Sequence, residues 1–520
     1  MNKKTLTTAV LAGLTGIAGI VSVSNAVHIN PDGTGQVLVY PYYTTRADNV
    51  TLISIVNTTE DGKAVKVRFI EGMNSREVRD FNLYMSPFDV WTAAISDNGT
   101  GGAGFVTTDN SCTAPYFFNN GTVDGSSAGA PGSEFSTFLF NDVVGGAGPT
   151  SGLDRTREGY VEMIEMGTLT NAVEDSLAAA THTGPDDVNG NPTPADCQQL
   201  VDAWRNPGPN PYWILDAQTD MAPPTGGLFG DGTIVNVANG RAMGYAATAL
   251  DGFYVPGELD PVSLHELPAS PQPDLTDVLP TTSYSVLATG AGAPVVVSDD
   301  WAIAPQAVTA VFMSNQVMNQ YAVEDATNAV TEWVVTHPTK RFHTFDQLPG
   351  PAVAPFTVQW NPETGTACEP IDIRIWDRNE QESGTAPGDV EPSPAPPPEI
   401  VGNNFCWEVN TVGFNNGQDI VDAGQTAALG SKLSINFDVD SATHIPEAFS
   451  SGWAQVSFPQ TMVNDLGTRE YVGLPVTGFA VRTANADGGD DDATNDILFG
   501  AAFDHAYARV IQAPAPVPAP

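Results

Sequence analysis

The feature that most constrains this sequence is a run of alternating apolar and polar residues between Gln36 and Ile95. Alternation with a period of two is typical of β-strands that bury one face. Four consecutive segments follow the pattern and are separated by short stretches of turn residues: Thr51–Asn57, Ala64–Ile70, Val78–Met85 and Phe88–Ile95. We therefore predict a β-meander that begins with a hairpin between the first two segments and forms half of a β-sandwich.

The remaining sequence favours a mainly β fold, with two β-sandwich-like domains, long Gly- and Pro-rich loops and one or two short helices. The helical candidates are Asn171–Ala180 and Thr193–Trp204, which carry helix-start residues and helical spacing of apolar positions. Further short segments rich in β-branched and aromatic residues predict a second all-β body: Tyr284–Leu287, Val295–Val297, Val308–Phe312, Val330–Thr336, Phe356–Trp360, Ile371–Trp376, Leu433–Val439, Trp453–Phe458 and Leu498–Phe503.

Proline interrupts the periodicity most clearly between Pro256 and Pro280, and such backbone is typical of a semi-rigid connector or a long surface crossing. This boundary divides the chain into five predicted parts. They are a signal peptide (1–26), an N-terminal β-sandwich domain with a helical insertion (27–255), a Pro-rich connector (256–282), a C-terminal β domain (283–512) and a Pro/Ala tail (513–520).

The first 26 residues have the three parts of a secretory signal peptide. Lys3 and Lys4 precede a mostly apolar run from Leu11 to Val23, and Ala26 ends a small-residue cleavage site. The alternative is an uncleaved membrane anchor, but a membrane span needs about 20 apolar residues and this run is shorter. We predict an exported mature chain without a transmembrane segment.

The sequence has four cysteines, Cys112, Cys197, Cys368 and Cys406, and an even number in an exported chain indicates disulfide bonds. Three pairings are open. We favour Cys112 with Cys197 and Cys368 with Cys406, because the first two precede the connector and the last two follow it. Metal binding is the weaker alternative, since no two of these cysteines are spaced as C-x-x-C.

Acidic residues outnumber basic residues by 61 to 20, which gives a formal net charge of −41 although only 16% of the residues are charged. A chain this acidic is repelled by nucleic acid, so nucleic acid is excluded as a partner. Two interpretations of the surface stay open. It is either a hydrated surface adapted to salty water or one whose carboxylates bind Ca²⁺.

The densest acidic segment is Asn485–Asp496, and its carboxylates are the candidate Ca²⁺ ligands: Asp487, Asp490, Asp491, Asp492 and Asp496. Several carboxylate and amide oxygens on a Gly-containing loop match the coordination that Ca²⁺ prefers. The alternative is a solvated acidic hairpin tip, which is what most charge runs are. No other cofactor is predicted.

Two patterns are associated with catalysis, but the residues around them do not support a catalytic role. Gly125–Gly129 matches the G-x-S-x-G nucleophile motif, but no strand pattern precedes it and no helix pattern follows it, so we interpret it as a chance match. His337 and His343 are near neighbours, and we predict that they are strand-end residues beside Lys340 and Arg341. We therefore predict no catalytic residues and no enzyme.

The signal peptide, the strand-rich N-terminal part, the scarcity of lysine and the acidity resemble surface-layer and other cell-surface proteins of Gram-negative marine bacteria. The segments Ser54–Glu71 and Asn82–Trp91 carry this resemblance best. It implies a non-catalytic protein at the exterior of the outer membrane, and it supplies no functional residues.

From these observations we expect a secreted structural protein of the cell surface that associates with itself and with outer-membrane surface components. Two alternatives remain. A surface adhesin or carbohydrate-binding module is favoured if aromatic residues such as Trp204, Tyr212 and Trp213 line an exposed groove. A secreted hydrolase is the weakest hypothesis, because no carboxylate pair or Ser/His/Asp set stands out.

Overall fold

The computed structural model describes residues 26–117, 132–144, 152–187, 190–255, 261–287, 295–324, 327–347, 349–380, 382, 403–415, 426–438, 450–486 and 497–514. The predicted signal peptide up to residue 25, the Gly125–Gly129 motif and the acidic segment 487–496 lie outside these ranges. Strands account for 46% and helices for 9% of the structure, which confirms the mainly β prediction.

The N-terminal half contributes fourteen strands, in chain order β1 His28–Ile29, β2 Val37–Thr44, β3 Val50–Asn57, β4 Gly62–Glu71, β5 Glu77–Met85, β6 Val90–Asp97, β7 Ala103–Val106, β8 Cys112–Ala114, β9 Gly132–Glu134, β10 Glu158–Leu169, β11 Met221–Ala222, β12 Leu228–Asn236, β13 Arg241–Ala246 and β14 Thr248–Asp251.

The C-terminal half continues with β15 Thr282–Leu287, β16 Val295–Asp300, β17 Met313–Ser314, β18 Gln316–Ala322, β19 Val330–Thr336, β20 Glu369–Asp377, β21 Asn403–Phe405, β22 Val409–Asn415, β23 Ser434–Asp438, β24 Ser451–Ser457, β25 Thr461–Val463, β26 Glu470–Val472, β27 Leu474–Pro475, β28 Thr477–Ala486, β29 Ile497–Asp504, β30 Ala506–Ala508 and β31 Val510–Gln512.

The helical segments are short, and the described ranges contain more of them than the one or two that the sequence indicated. They are a 3-10 helix Gly152–Arg157 and the α-helices α1 Ser176–Ala180, α2 Cys197–Asp202, α3 Tyr212–Leu215, α4 Ala304–Phe312 and α5 Lys340–Thr344. Helices α1 and α2 fall within the two helical segments predicted from the sequence.

Two antiparallel sheets form the N-terminal sandwich. The first has the strand order β1-β14-β2-β10-β4-β5-β8, with β11 also paired to β10, and the second has the order β13-β12-β3-β6-β7-β9. Their facing side chains share one apolar core, in which Phe81 of the first sheet lies 5.6 Å from Trp91 of the second, measured between ring centroids.

The four strands predicted between Thr51 and Ile95 are present, but the predicted β-meander is wrong. Strand β3 pairs with β6 and β12 in the second sheet, whereas β4 pairs with β5 and β10 in the first. The chain therefore crosses from one sheet to the other after Asn57. All ten residues of β4 are buried, so β4 is a central strand covered on both faces, while β3 has one partly exposed face.

The C-terminal sandwich also has two sheets, with strand orders β21-β20-β24-β18-β30 and β23-β22-β19-β28-β29. Two predicted strands are absent. Val308–Phe312 is the second half of helix α4, whose buried face includes Ala307, Val308 and Val311; a short apolar run does not distinguish a buried strand from a buried helix.

The second absent strand is Phe356–Trp360, which has no regular secondary structure. The backbone N–H groups of Thr357 and Val358 donate to the carboxylate of Glu369, at 2.5 and 2.7 Å, and not to a neighbouring strand. Phe356 and Trp360 are nevertheless buried. The segment is therefore part of the core although it is not a strand, because the buried Glu369 carboxylate takes the place of a strand partner.

The Pro-rich segment packs against the N-terminal sandwich where it is described. His265, Leu275 and Val278 are buried, and the carbonyl oxygen of Pro268 accepts a hydrogen bond of 2.8 Å from Lys66 Nζ on β4. The segment thus covers part of the outer face of the first sheet, in keeping with a long surface crossing.

The two sandwiches touch each other directly. The rings of Tyr245 and Phe479 stack with centroids 4.4 Å apart, and Thr336 Oγ1 donates to Pro41 O at 2.6 Å. Residues from both halves belong to one apolar cluster. The domain boundaries proposed from the sequence stay a prediction.

Candidate functional site

The first sheet contains a row of buried ion pairs between β4 and its neighbours. Lys63 Nζ lies 2.8 Å from Glu165 Oε1 of β10, and neither side chain has measurable exposure. Further along β4, Lys66 pairs with Asp80 of β5, and Arg68 pairs with Glu162 of β10. Strand β4 supplies the cations, whereas β5 and β10 supply the acids.

A second buried network lies at the end of β4, where the 3-10 helix leads into β10. Arg155 bridges Glu71 and Asp142, with nitrogen–oxygen distances of 2.7 and 2.8 Å. Arg46 lies 2.7 Å from Glu158 in the same way. Such pairs are stable only when each charge keeps its partner, because an unpaired buried charge is costly.

This arrangement places a large share of the few basic residues in the interior. Seven buried lysine and arginine side chains are Arg46, Lys63, Lys66, Arg68, Arg76, Arg155 and Lys340. The exposed arginines lie within salt-bridge distance of carboxylates: Arg205 with Asp202, Arg374 with Glu382, Arg378 with Glu324 and Arg469 with Asp299. Eleven Asp and Glu side chains are buried as well, so the strongly anionic surface comes from the excess of acidic residues in the sequence.

Burial raises the pKa values of acids in the first sheet. It raises the pKa of Glu162 to about 7, although Arg68 opposes the change. It also raises the pKa of Asp80 to about 6, and here Glu77 adds to the effect while Lys66 opposes it. Glu162 is buried within the sheet, whereas Asp80 keeps 15% of its side chain exposed.

Both predicted disulfides are present. Cys112 of β8 is bonded to Cys197 of α2, and Cys368 is bonded to Cys406. The first bond joins the helical insertion to the edge of the first sheet. The described ranges contain no free cysteine.

Trp204, Tyr212 and Trp213, whose exposure in a groove would favour a carbohydrate-binding module, belong to a core. Trp213 and Tyr212 are buried, and the Trp204 indole donates to Tyr84 Oη at 2.8 Å. The His265 ring lies 4.7 Å from that of Trp213. These rings hold the helical insertion and the Pro-rich segment against the first sheet, so they do not form a ligand-binding groove.

The histidines of the C-terminal half are also interior residues. Burial lowers the pKa of His337 and of His343 to about 3. His337 follows β19, as predicted, whereas His343 lies within α5. Lys340 is buried beside them, and burial lowers its pKa to about 8. Its Nζ donates to Trp407 O at 3.1 Å.

Glu408 is a buried carboxyl in the same region. Burial raises its pKa well above the usual value, although Lys340 opposes the change. Its backbone N–H donates to Met73 O at 3.3 Å, which joins the two sandwiches. The carboxyl is enclosed and does not face a cleft.

A cavity of about 360 Å³ lies between the sandwiches and is lined in part by Tyr245, Phe479 and Arg509. Arg509 Nη2 donates to Val311 O at 2.7 Å. Val311 lies at the C-terminal end of α4, where the helix dipole favours a cation. The arginine therefore has a structural role in capping this helix.

Sequence reasoning missed an aromatic pair at the surface of the C-terminal sandwich, in which Trp453 is exposed and Trp376 is partly exposed. Trp376 of β20 and Trp453 of β24 are cross-strand partners whose rings stack with centroids 4.1 Å apart. The sequence did contain a signal for this pair. Ile371, Ile373 and Ile375 alternate with residues that must face outward, and Trp376 is one of these outward residues.

Within the described ranges no three His, Cys, Asp or Glu side chains are close enough to hold a metal ion. The predicted Ca²⁺ ligands Asp487, Asp490, Asp491, Asp492 and Asp496 lie outside those ranges, so that site stays a prediction. No helix in the described part of the chain is both long and apolar enough to cross a membrane. No protein family, no curated protein and no solved structure matches the chain.

Proposed function

We propose that this chain is a structural protein of the bacterial cell surface whose copies associate side by side, as in a surface layer. The observation that carries the proposal is the excess of acidic residues at the surface. Only four lysine or arginine side chains are exposed in the described ranges, and each lies within salt-bridge distance of a carboxylate. Because acidic residues outnumber basic residues by 61 to 20, the outer surface is strongly anionic.

A strongly anionic surface makes association dependent on cations. Copies that each carry a formal charge of −41 repel one another in dilute buffer, and salt shortens the range of this repulsion to about 10 Å at 0.1 M. Divalent ions act more directly, because Ca²⁺ binds oxygens from several carboxylates at once. The medium outside a cell supplies both salt and Ca²⁺.

The interior is suited to a scaffold of fixed shape. Two sandwiches share contacts such as the Tyr245–Phe479 stack, and each half carries one disulfide. In the described ranges the side chains of His337, His343 and Glu408 are buried in this interior. A rigid unit of this kind repeats with constant spacing when it packs with copies of itself.

The test is assembly of the purified chain from residue 27 onward. We expect ordered two-dimensional arrays by negative-stain electron microscopy in millimolar CaCl₂, and monomers in dilute buffer with chelator. NaCl at matched ionic strength serves as the control for simple screening. A chain that remains monomeric in Ca²⁺ and in high salt contradicts the proposal.

A further inference from the structure

The outward face of sheet β21-β20-β24-β18-β30 carries an ordered grid of aromatic and polar side chains. We call it the tryptophan platform and define it by six residues: Gln320, Asp372, Arg374, Trp376, Trp453 and Gln455. The register places Trp376 and Gln320 on either side of Trp453. Arg374 lies directly across from Gln455.

The platform is separate from the core beneath it. The inward residues Ile371, Ile375 and Val456 are buried and fill the sandwich. By contrast, Trp453 is 39% exposed, and Gln320 and Asp372 are also exposed. Folding of the sandwich does not require indoles at outward positions, where small polar residues are the usual choice.

Two side chains of the platform, Arg374 and Trp376, are oriented by their contacts. The guanidinium of Arg374 lies 5.0 Å from the centre of the Trp376 ring. The same guanidinium makes two hydrogen bonds to the Glu382 carboxylate, at 2.6 and 2.7 Å. Trp376 is thus packed between Arg374 and Trp453, which leaves Trp453 as the more accessible indole.

We propose that the tryptophan platform binds a neutral hexose polysaccharide. The C–H bonds of a pyranose ring carry a small positive charge and pack on the negative face of an indole. Sugar hydroxyls are both donors and acceptors, and they match the amides of Gln320 and Gln455 and the carboxylate of Asp372. These groups lie on neighbouring strands about 5 Å apart.

The chemistry of the platform disfavours other occupants. An acidic polysaccharide is repelled by Asp372, by Glu382 and by the overall charge. A second protein copy needs a larger apolar centre than one indole pair, since stable interfaces bury about 800 Å² on each partner. The neighbours of the indoles are glutamine, arginine and aspartate.

The experiment is affinity electrophoresis of the folded chain in native gels that contain dextran, mannan or galactan, with alginate as the acidic comparison. Chelator keeps the copies apart, so the result does not depend on the proposed assembly. The variants are Trp453→Ala and Trp376→Ala. The matched control is Phe503→Ala, because Phe503 lies in the same sandwich and is 40% exposed.

We expect at least one neutral polymer to retard the parent and Phe503→Ala equally, and both tryptophan variants to bind it at least tenfold more weakly. Thermal unfolding checks that the variants fold, since one cross-strand pair contributes only about 0.2–1 kcal/mol. Equal retardation by alginate, no retardation by any neutral polymer, or unchanged binding by Trp453→Ala overturns the proposal.

Discussion

Lys63 and Glu165 form an ion pair in which both side chains are completely buried, with 2.8 Å between Nζ and Oε1. Glu165 also accepts hydrogen bonds from the backbone N–H groups of Thr225 and Gly226, at 3.0 and 2.7 Å. The pair therefore joins β4 and β10 to the loop that precedes β12. Strands of both sheets depend on one buried carboxylate.

Removal of one partner from this pair should be strongly destabilising. Lys63→Met leaves the Glu165 carboxylate buried without its cation, and we expect a loss of about 3–5 kcal/mol in the free energy of unfolding. Urea denaturation measures the loss. Arg374→Met is the control, because the exposed Arg374–Glu382 pair contributes only about 0–1 kcal/mol.

The double variant Lys63→Met with Glu165→Met separates the cost of an unpaired charge from the loss of packing. It should recover much of the stability lost by Lys63→Met, since an apolar pair of similar volume avoids burying a charge. A double variant as unstable as the single one would mean that the backbone donors at Thr225 and Gly226 control the effect.

The two disulfides should stabilise the chain by similar amounts. They close loops with sequence separations of 85 and 38 residues, for which the loop-entropy relation gives about 4–5 kcal/mol each. We expect Cys112→Ser with Cys197→Ser to loosen the helical insertion, and Cys368→Ser with Cys406→Ser to lower the stability of the C-terminal sandwich. Limited proteolysis locates each effect, and cleavage at the same sites in both variants would contradict it.

The buried histidines should make the protein sensitive to mild acid. Burial lowers the pKa of His505 to about 4, whereas the unfolded chain binds this proton near pH 6.5. Between these values the unfolded state binds more protons, so stability falls as the pH decreases from about 6.5 towards 4. His265, whose pKa burial also lowers to about 4, acts in the same direction.

Acids with raised pKa values act in the opposite direction, so a variant is needed to isolate the histidine. The stabilising contributions of Asp80 and Glu162 are largest at low pH and decline as the pH rises through about 6 and about 7. We expect the free energy of unfolding of the parent, relative to that of His505→Gln, to fall by about 2 kcal/mol between pH 7 and pH 4.5. If the urea midpoints of the parent and of His505→Gln change equally between pH 7 and pH 4.5, the acid sensitivity does not come from His505.

The sequence predicted the strands well because alternation is a local property. The segments β3 to β6 were found with small errors at their ends, since each carries its own apolar face. The sheet to which a strand belongs, in contrast, depends on residues far away in the sequence. Strand β4 joins β10, almost a hundred residues later in the chain, and nothing between Ala64 and Ile70 encodes that partner.

Burial of charge was the other property that local pattern did not reveal. Lys66 and Arg68 alternate with Val65 and Val67, which indicates a strand with one solvent-exposed face. The Pro-rich segment covers that face, as the Lys66–Pro268 hydrogen bond shows. The predicted disulfide pairing is confirmed. That prediction needed only the order of the cysteines along the chain, with two before the connector and two after it.

The last prediction concerns the acidic segment Asn485–Asp496 and the role of Ca²⁺ in association. We expect Asp490→Asn with Asp491→Asn and Asp492→Asn to fold as the parent does, because these changes keep side-chain size and remove only charge. If Ca²⁺ joins copies through this segment, the triple variant should lose Ca²⁺-dependent association. Light scattering with CaCl₂ and with chelator measures it.

The matched control removes the same three charges at exposed positions elsewhere, by Glu60→Gln with Glu363→Gln and Asp465→Asn. If Ca²⁺ is coordinated by the acidic segment, the control should associate as the parent does. If cations only screen repulsion, both triple variants should behave alike and associate at lower salt than the parent, because each carries less negative charge. Equal association of the two variants would therefore remove the acidic segment as a Ca²⁺ contact, while leaving salt-dependent association to be explained by the anionic surface as a whole.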